Sequence, residues 1–415
     1  MVEQETTNSL AALWRFQDSI GDPTWQGLLS RLNEVNRDIR IRGIRSFRGQ
    51  ADLLTGYSYD EFYDWDLYFE NIYMSYYGIS QFCRSNPEAF LDRQMACGFT
   101  PRTLIEPRMR QHFKPFMAQI ALLGSRQTGN YAWLKTKYYE RLKKYLDYWF
   151  WYSDFDKNGL CVWDSADHSG MDNQVSRAGE LYAMTVEGVD LNCYLVRELQ
   201  AMAVLAGELG HPQDQKEFQA QASRLSTLIN QVFWDEMDGF YYDRHERTGE
   251  LVRLKSVAGF IPLWLGIVPP ERVKRLVEDH LHNPAEFWLD HPVATYAKTE
   301  PDYYQERIGG ECNWRGTAWI PTNYMIFHGL IKQGFTELAG ELAYKTFQMV
   351  LSEEVTREYY NAETGCGQGL NPFWGWSTLG YFMPLEYELG YDPTDISNEQ
   401  IQPIAKDLFD LSLWA

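Results

Sequence analysis

The chain has 415 residues, 45% hydrophobic and 23% charged, the balance of an ordinary globular protein. Its formal net charge of −19 repels phosphate backbones and anionic bilayers, so neither nucleic acid nor a membrane surface is an expected partner. Aromatic residues make up 15%, including 15 Trp and 27 Tyr, whose flat apolar faces suit a large core and also the stacking of sugar rings.

Residues 1–14 are acidic and polar, with no basic segment and no long apolar run, so no signal peptide is expected. No 18-residue apolar stretch is present to span a bilayer. Cys83, Cys97, Cys161, Cys193, Cys312 and Cys366 lack CxxC spacing. They read as reduced thiols of a cytoplasmic protein, not as a zinc site or a disulfide framework. No Pro/Ser-rich linker divides the chain, so one domain over residues 1–415 is expected. The sequence leaves a homo-oligomer open.

The first amphipathic stretch is Trp25–Arg42, with Leu28, Leu29, Leu32 and Val35 near helical spacing. Tyr57–Asp66 then gathers carboxylates and hydroxyls among apolar rings, just before a helical run. Asp66 suits sugar hydroxyls with Trp65 stacked beside it, and it equally suits a helix N-terminus. Helical periodicity returns over Tyr131–Tyr152. Asp154–Gly159 resembles half of a calcium loop without the closing acid, so a turn is expected. Leu191–Leu209 and Asp214–Val232 are again helical, and Phe233–Asp243 reads as a turn entering a brief strand. Pro270–His280, Trp319–Lys332, Phe335–Leu351 and Trp376–Leu389 complete the series. The class is all-α with a few short strands; periodicity alone leaves a closed ring of paired helices and an open solenoid as alternatives.

Two carboxylates stand out between the helices: Asp172 in Ser169-Gly170-Met171-Asp172-Asn173, and Glu358 in Arg357-Glu358-Tyr359-Tyr360-Asn361. A facing pair of carboxyl groups among aromatic rings suits glycoside hydrolysis, in which one acid protonates the leaving oxygen and the other activates water or attacks the sugar. Asp172 competes with Asp164 and Asp167 for the acid's role, and burial against a ring such as Trp163 would give it the raised pKa an acid needs. Glu363, in Ala-Glu-Thr-Gly, reads as a turn residue. Glu311–Trp319 places Arg315 and Gly316 between two tryptophans before a helix, either as a ligand contact or as an aromatic helix start. The glycines after Glu358 lack a GK[ST] element, which excludes a nucleotide cradle. The eight histidines form no HxxxH pair, so neither a metal nor a cofactor is expected.

In family order the chain shows Tyr59 with Trp65-Asp66, Ser169-Gly170-x-Asp172-Asn173 with Arg177, and Val189-Asp190-Leu191-Asn192. Phe233-Trp234-Asp235 with Asp238-Gly239-Phe240-Tyr241 follows, then Ala258–Leu263, Asn313-Trp314-Arg315-Gly316-x-x-Trp319 and Glu358-Tyr359-Tyr360-x-x-x-Thr364-Gly365. This ordered set resembles glycoside hydrolase family 63, in its branch of mannosylglycerate and glucosylglycerate hydrolases. The resemblance implies an (α/α)6 barrel with long catalytic loops. It also implies inversion at the anomeric carbon, with Asp172 as general acid and Glu358 as general base. The carboxyl separation that leaves room for a water is roughly 6.5–9.5 Å. It further implies that Trp65, Asp66, Trp314, Arg315 and Trp319 line the sugar subsite; Tyr59, Lys114, Asn173, Arg177, Gly316, Tyr359, Gln368 and Trp376 complete the expected substrate-binding set.

Two departures from the family stand out. Its Asp-Asn-Ser-Pro-Arg is one residue longer here, at Asp172–Arg177, and its Gln-Pro-Pro is Lys114-Pro115-Phe116. The expected substrate is a small α-linked glucoside or mannoside, glucosylglycerate or mannosylglycerate first, with Lys114 and Arg177 as the cations near a glycerate carboxylate. A neutral glycoside such as glucosylglycerol is the alternative, and a sugar 2-epimerase is a second of another class, although the paired histidines of that chemistry are missing from the motifs. A sugar-binding protein without turnover would need only one of the two acids.

Overall fold

Two kinds of helix alternate along the chain. A computed structural model describes residues 2–46, 52–56, 61–105, 111–177, 184–309, 312–399 and 401. Its helices are α1 Val2–Ile20, α2 Asp22–Asp38, α3 Asp64–Tyr76, α4 Phe82–Leu91, α5 Met117–Thr128 and α6 Tyr138–Tyr152. They continue with α7, the single turn Ala166–Ser169, then α8 Val189–Leu209, α9 Pro212–Val232, α10 Ile261–Leu265 and α11 Pro270–Lys274. The last three are α12 Ile320–Lys332, α13 Thr336–Leu351 and α14 Met383–Leu389, the last entered by the 3-10 segment Trp376–Tyr381.

The first kind has no polar face. Every residue of α3 is buried, as are Met117–Arg126 of α5 and Ile320–Leu330 of α12. Such helices must be covered on all sides, and each fully buried Leu or Phe contributes about 1.5–3 kcal/mol. The second kind buries one stripe: α9 hides only Phe218, Ala222, Leu225 and Ile229, spaced for a single face. Packing follows from this difference. The inner helices touch in a ring, α3 on α5, α5 on α8, α8 on α10, α10 on α12, α12 on Trp376–Tyr381, and that segment back on α3. Outer helices lie against them, α9 on α8 and α13 on α12 and α14. The result is an (α/α)6 barrel.

Each inner helix returns to its outer partner by a short link, only Gly210 and His211 between α8 and α9. Gly210, at φ 83°, ends α8 in the left-handed cap that glycine adopts without strain. The long connections therefore all gather at the other end, before the inner helices: 92–116, 153–188, 233–256, 282–319 and 352–375. They hold most of the short strands, among them Trp234–Asp235 paired with Phe240–Tyr241 and Tyr359–Tyr360 paired with Gly367–Gln368, both antiparallel.

The stretches with helical period coincide with helices, with small differences. Trp25–Arg42 turns π-helical at Ile39, and within Tyr131–Tyr152 the α-helix begins only at Tyr138. The helices α1, α4, α5 and α10 fall outside the stretches read as helical. Asp154–Gly159 is a turn, with Asp156 accepting from the Asn158 amide. Among the described residues no helix is long and apolar enough to cross a membrane.

Candidate active site

At the loop-bearing end of the barrel lies a cavity of about 340 Å³. Its aromatic wall is made by Tyr63, Trp65, Trp314, Trp319 and Trp376. Trp65 opens the first turn of α3, Trp319 leads into α12, and Trp376 begins the segment before α14. Trp314 stacks on Trp319 at 3.9 Å and 15°, and Trp319 on Tyr359 at 4.5 Å and 14°, so the wall is backed by a third ring. Gly170 borders the cavity at φ 84°, and a Cβ there would stand 2.6 Å from the Trp65 ring. Only glycine lets the acid-bearing loop approach so closely.

Asp172 and Glu358 both line this cavity. Asn173 holds the Asp172 loop in place: its Oδ1 accepts from the Trp314 amide at 2.8 Å and its Nδ2 donates to the Tyr304 hydroxyl at 2.8 Å. Asp172 is an exposed residue that opens onto the cavity. Desolvation by the protein around it raises its pKa to about 7, against the pull of Arg102 and Lys114 and with help from the charges of Asp167 and Glu358. Cavity water tempers that effect.

Glu358 is more enclosed, at 7% exposure. Its Oε2 accepts from the Leu370 amide at 2.9 Å, and the Cys312 thiol lies 3.5 Å from Oε1. Gly369, at φ 74°, has no Cβ to collide with Oε2, which would stand 2.4 Å away. Burial raises the Glu358 pKa, while the Leu370 amide, Cys312 and Arg307 restrain it. A third carboxyl, Asp66, is raised by burial to about 7 despite Lys114 and Arg102.

Seven sequence-predicted residues meet at the cavity: Trp65, Asp66, Asp172, Trp314, Trp319, Glu358 and Trp376. The others do not line it. Lys114 is shut away from solvent and pairs with Asp64 at 2.9 Å, so it sits behind the wall. Arg177 spends its whole guanidinium on Asp190 and Asp243, with four hydrogen bonds at 2.8 Å. Arg315 pairs with Asp302 at 3.1 Å and covers the Tyr304 ring. Gly316, at φ 145°, makes room for the Tyr303 ring and not for a ligand. Tyr359 backs Trp319, Asn173 braces the loops, and Gln368 donates to the Gln305 carbonyl at 2.9 Å. Tyr59 lies outside the described residues.

Of the competing acids, Asp164 is raised by burial to about 6 but faces His168 at 3.5 Å, outside the cavity lining. Asp167 does border the cavity, yet hydrogen bonds from Ser165 and Gln111, and the Arg102 charge, outweigh burial and hold it below the usual range. Glu363 pairs with Lys298 at 2.7 Å. Among the described residues the cations at the cavity are Arg102 and Arg307, which belong to no motif singled out above; Cys312, beside Glu358, lies within Glu311–Trp319. His112, His168 and His328 are buried, which lowers them to about 3, 3 and 4 and leaves them neutral. Among the described residues no group of three or more His, Cys, Asp or Glu is placed to hold a metal.

Residues 59–377 match the model of the mannosylglycerate hydrolase MGH1-like glycoside hydrolase domain. The chain belongs to this family. All the cavity-lining residues fall inside that MGH1-like span. A mannosylglycerate hydrolase of Thermus thermophilus is 32% identical over 185 residues, 44% of this chain and 40% of that protein. Mannosylglycerate hydrolase MGH1 of Selaginella moellendorffii is 26% identical over 181 residues, 43% of this chain and 35% of that protein. The matched segments thus span well under half the length of these curated relatives. In fold, a GH63 mannosylglycerate hydrolase of Thermus thermophilus in complex with glucose superposes with a TM-score of 0.69 at 21% identity, over 85% of this chain and 98% of that one. Neutral trehalase Nth1 of Saccharomyces cerevisiae gives 0.65 at 16% identity, over 81% and 73%.

Proposed function

We propose that this MGH1-like chain, a single catalytic domain, is an inverting glycosidase that cleaves a small α-linked mannoside or glucoside, mannosylglycerate or glucosylglycerate first. One observation carries the reading: two carboxyl groups with raised pKa values, Asp172 and Glu358, line one aromatic-walled cavity. Asp172 holds its proton to about pH 7 and gives it to the glycosidic oxygen as the bond to C1 breaks. Glu358 takes a proton from the water that attacks C1 on the opposite face, so the products are the inverted sugar and the free alcohol. Trp65, Trp314, Trp319 and Trp376 give the cavity an apolar aromatic wall, and Asp66 offers an acceptor for sugar hydroxyls.

The leaving group departs on the Asp172 side, where Arg102 borders the cavity. Its Nη1 is spent on Gln111 and the Asp167 carbonyl, and its buried Nε, which makes no hydrogen bond, faces Asp64 at 3.9 Å. An anionic aglycone is supported by this guanidinium and by the names of the relatives; Arg102 takes the part expected of Lys114 and Arg177. The four carboxyl groups around the cavity favour a neutral aglycone instead, which keeps glucosylglycerol as the second reading.

The test is to offer the α-mannosyl and α-glucosyl forms of glycerate and of glycerol and to follow the first-formed anomer by proton NMR. A β-sugar released by wild type, with no release by Asp172→Ala or Glu358→Ala, is the expected result. Hydrolysis surviving in both variants overturns the assignment, and an α-sugar formed first overturns inversion.

A further inference from the structure

We propose that Cys312 is a positioning residue, whose thiol donates to Oε1 of Glu358 and sets the pH at which that carboxylate takes up its water-activating form. The inference rests on Glu358 being the base. It starts from an asymmetry between the two carboxylate oxygens. Oε2 is bound by the Leu370 amide at 2.9 Å and pressed by the backbone at Gly369, whereas Oε1 faces the Cys312 sulfur at 3.5 Å. The oxygen without a backbone donor is the one left to accept from a water.

A thiol is a weak donor. At Oε1 it orients the carboxylate while leaving the oxygen basic, where a serine hydroxyl would bond more strongly and lower that basicity. Cys312 itself stays protonated: burial, then the charges of Glu358 and Asp172 and the thiol's hydrogen bonds toward both carboxylates, push it up. It is therefore a lasting donor and a poor nucleophile. The cysteine sits in the 282–319 connection and Glu358 in 352–375, so the contact adds to the Ala318–Tyr360 backbone bridge that already ties these two loops.

The test titrates Glu358 without substrate, by carbon-13 NMR of glutamate-labelled protein, in wild type, Cys312→Ala and Cys312→Ser. The alanine variant should raise the Glu358 midpoint by about half a pH unit, and serine should lower it by a similar amount. The acidic limb of kcat/KM should move the same way in each, with melting temperatures near that of wild type. Identical midpoints in the three proteins overturn the proposal. Midpoints that move while the acidic limb stays fixed show the hydrogen bond but remove Glu358 as the base, and the proposed role falls with it.

Discussion

Lys114 donates to Asp64 across 2.9 Å, and solvent reaches neither side chain. The Lys114 amide donates to the same carboxylate at 2.9 Å, and Arg102 stands 3.9 Å from it. Burial alone would raise Asp64, yet these cations hold it below its ordinary range. Lys114→Met leaves a buried carboxylate with one distant cation, and the expected loss is about 3 kcal/mol of stability. Urea unfolding measures it. Hydrolysis of glycerate-bearing and neutral glycosides should fall by the same factor; a loss confined to the anionic substrates would return Lys114 to the aglycone site.

Arg102→Gln separates those substrates. Removing a charged hydrogen bond to a carboxylate should lower kcat/KM for the glyceryl acid by about 10- to 100-fold, and for the glycerol analogue by much less. Equal effects on both would favour the neutral aglycone.

The pH profile should be bell-shaped. In its proposed role as acid Asp172 must be protonated, and its pKa is raised to about 7, so kcat/KM should fall as pH rises through about 7. Glu358 is active while ionised, and burial raises it, so activity is also lost on the acid side, beginning above the usual glutamate range. Each raised carboxyl also makes the fold more stable below its unfolded pKa, and that increment disappears as pH climbs through the folded value. Denaturation midpoints should therefore decline between about pH 4 and pH 7 for wild type and decline less for Asp172→Asn.

Gly369→Ala places a methyl 2.4 Å from Oε2 of Glu358 on a backbone at φ 74°. The carboxylate must move, and displacements near 1 Å cost roughly 10²-fold in rate. Steady-state kinetics should show that loss in kcat with KM little changed; unchanged turnover would mean that the loop yields instead.

Helix α9 is legible because a single buried stripe, Phe218 to Ile229, leaves a period in the sequence. Full burial does not by itself hide a helix: α12, covered along Ile320–Leu330, is read from the sequence, whereas α4 and α5 are not. At the site, the motif tryptophans and acids meet at the cavity because aromatic and carboxylate groups before an inner helix have one open end to face. The cations were misplaced for a definite reason. A lysine or arginine in a sequence does not show its partner, and Asp64 and Asp243 lie 50 and 66 positions from Lys114 and Arg177. Arg102, Arg307 and Cys312 reach the cavity from long connections whose course only the closed barrel dictates.

Because Trp376–Tyr381 packs back on α3, the first inner helix waits for the last before the ring is whole. On the ribosome, Asp172 emerges well ahead of the wall that Trp376 completes. A polypeptide that ends short of Trp376 lacks one side of the cavity wall and the segment that closes the ring on α3.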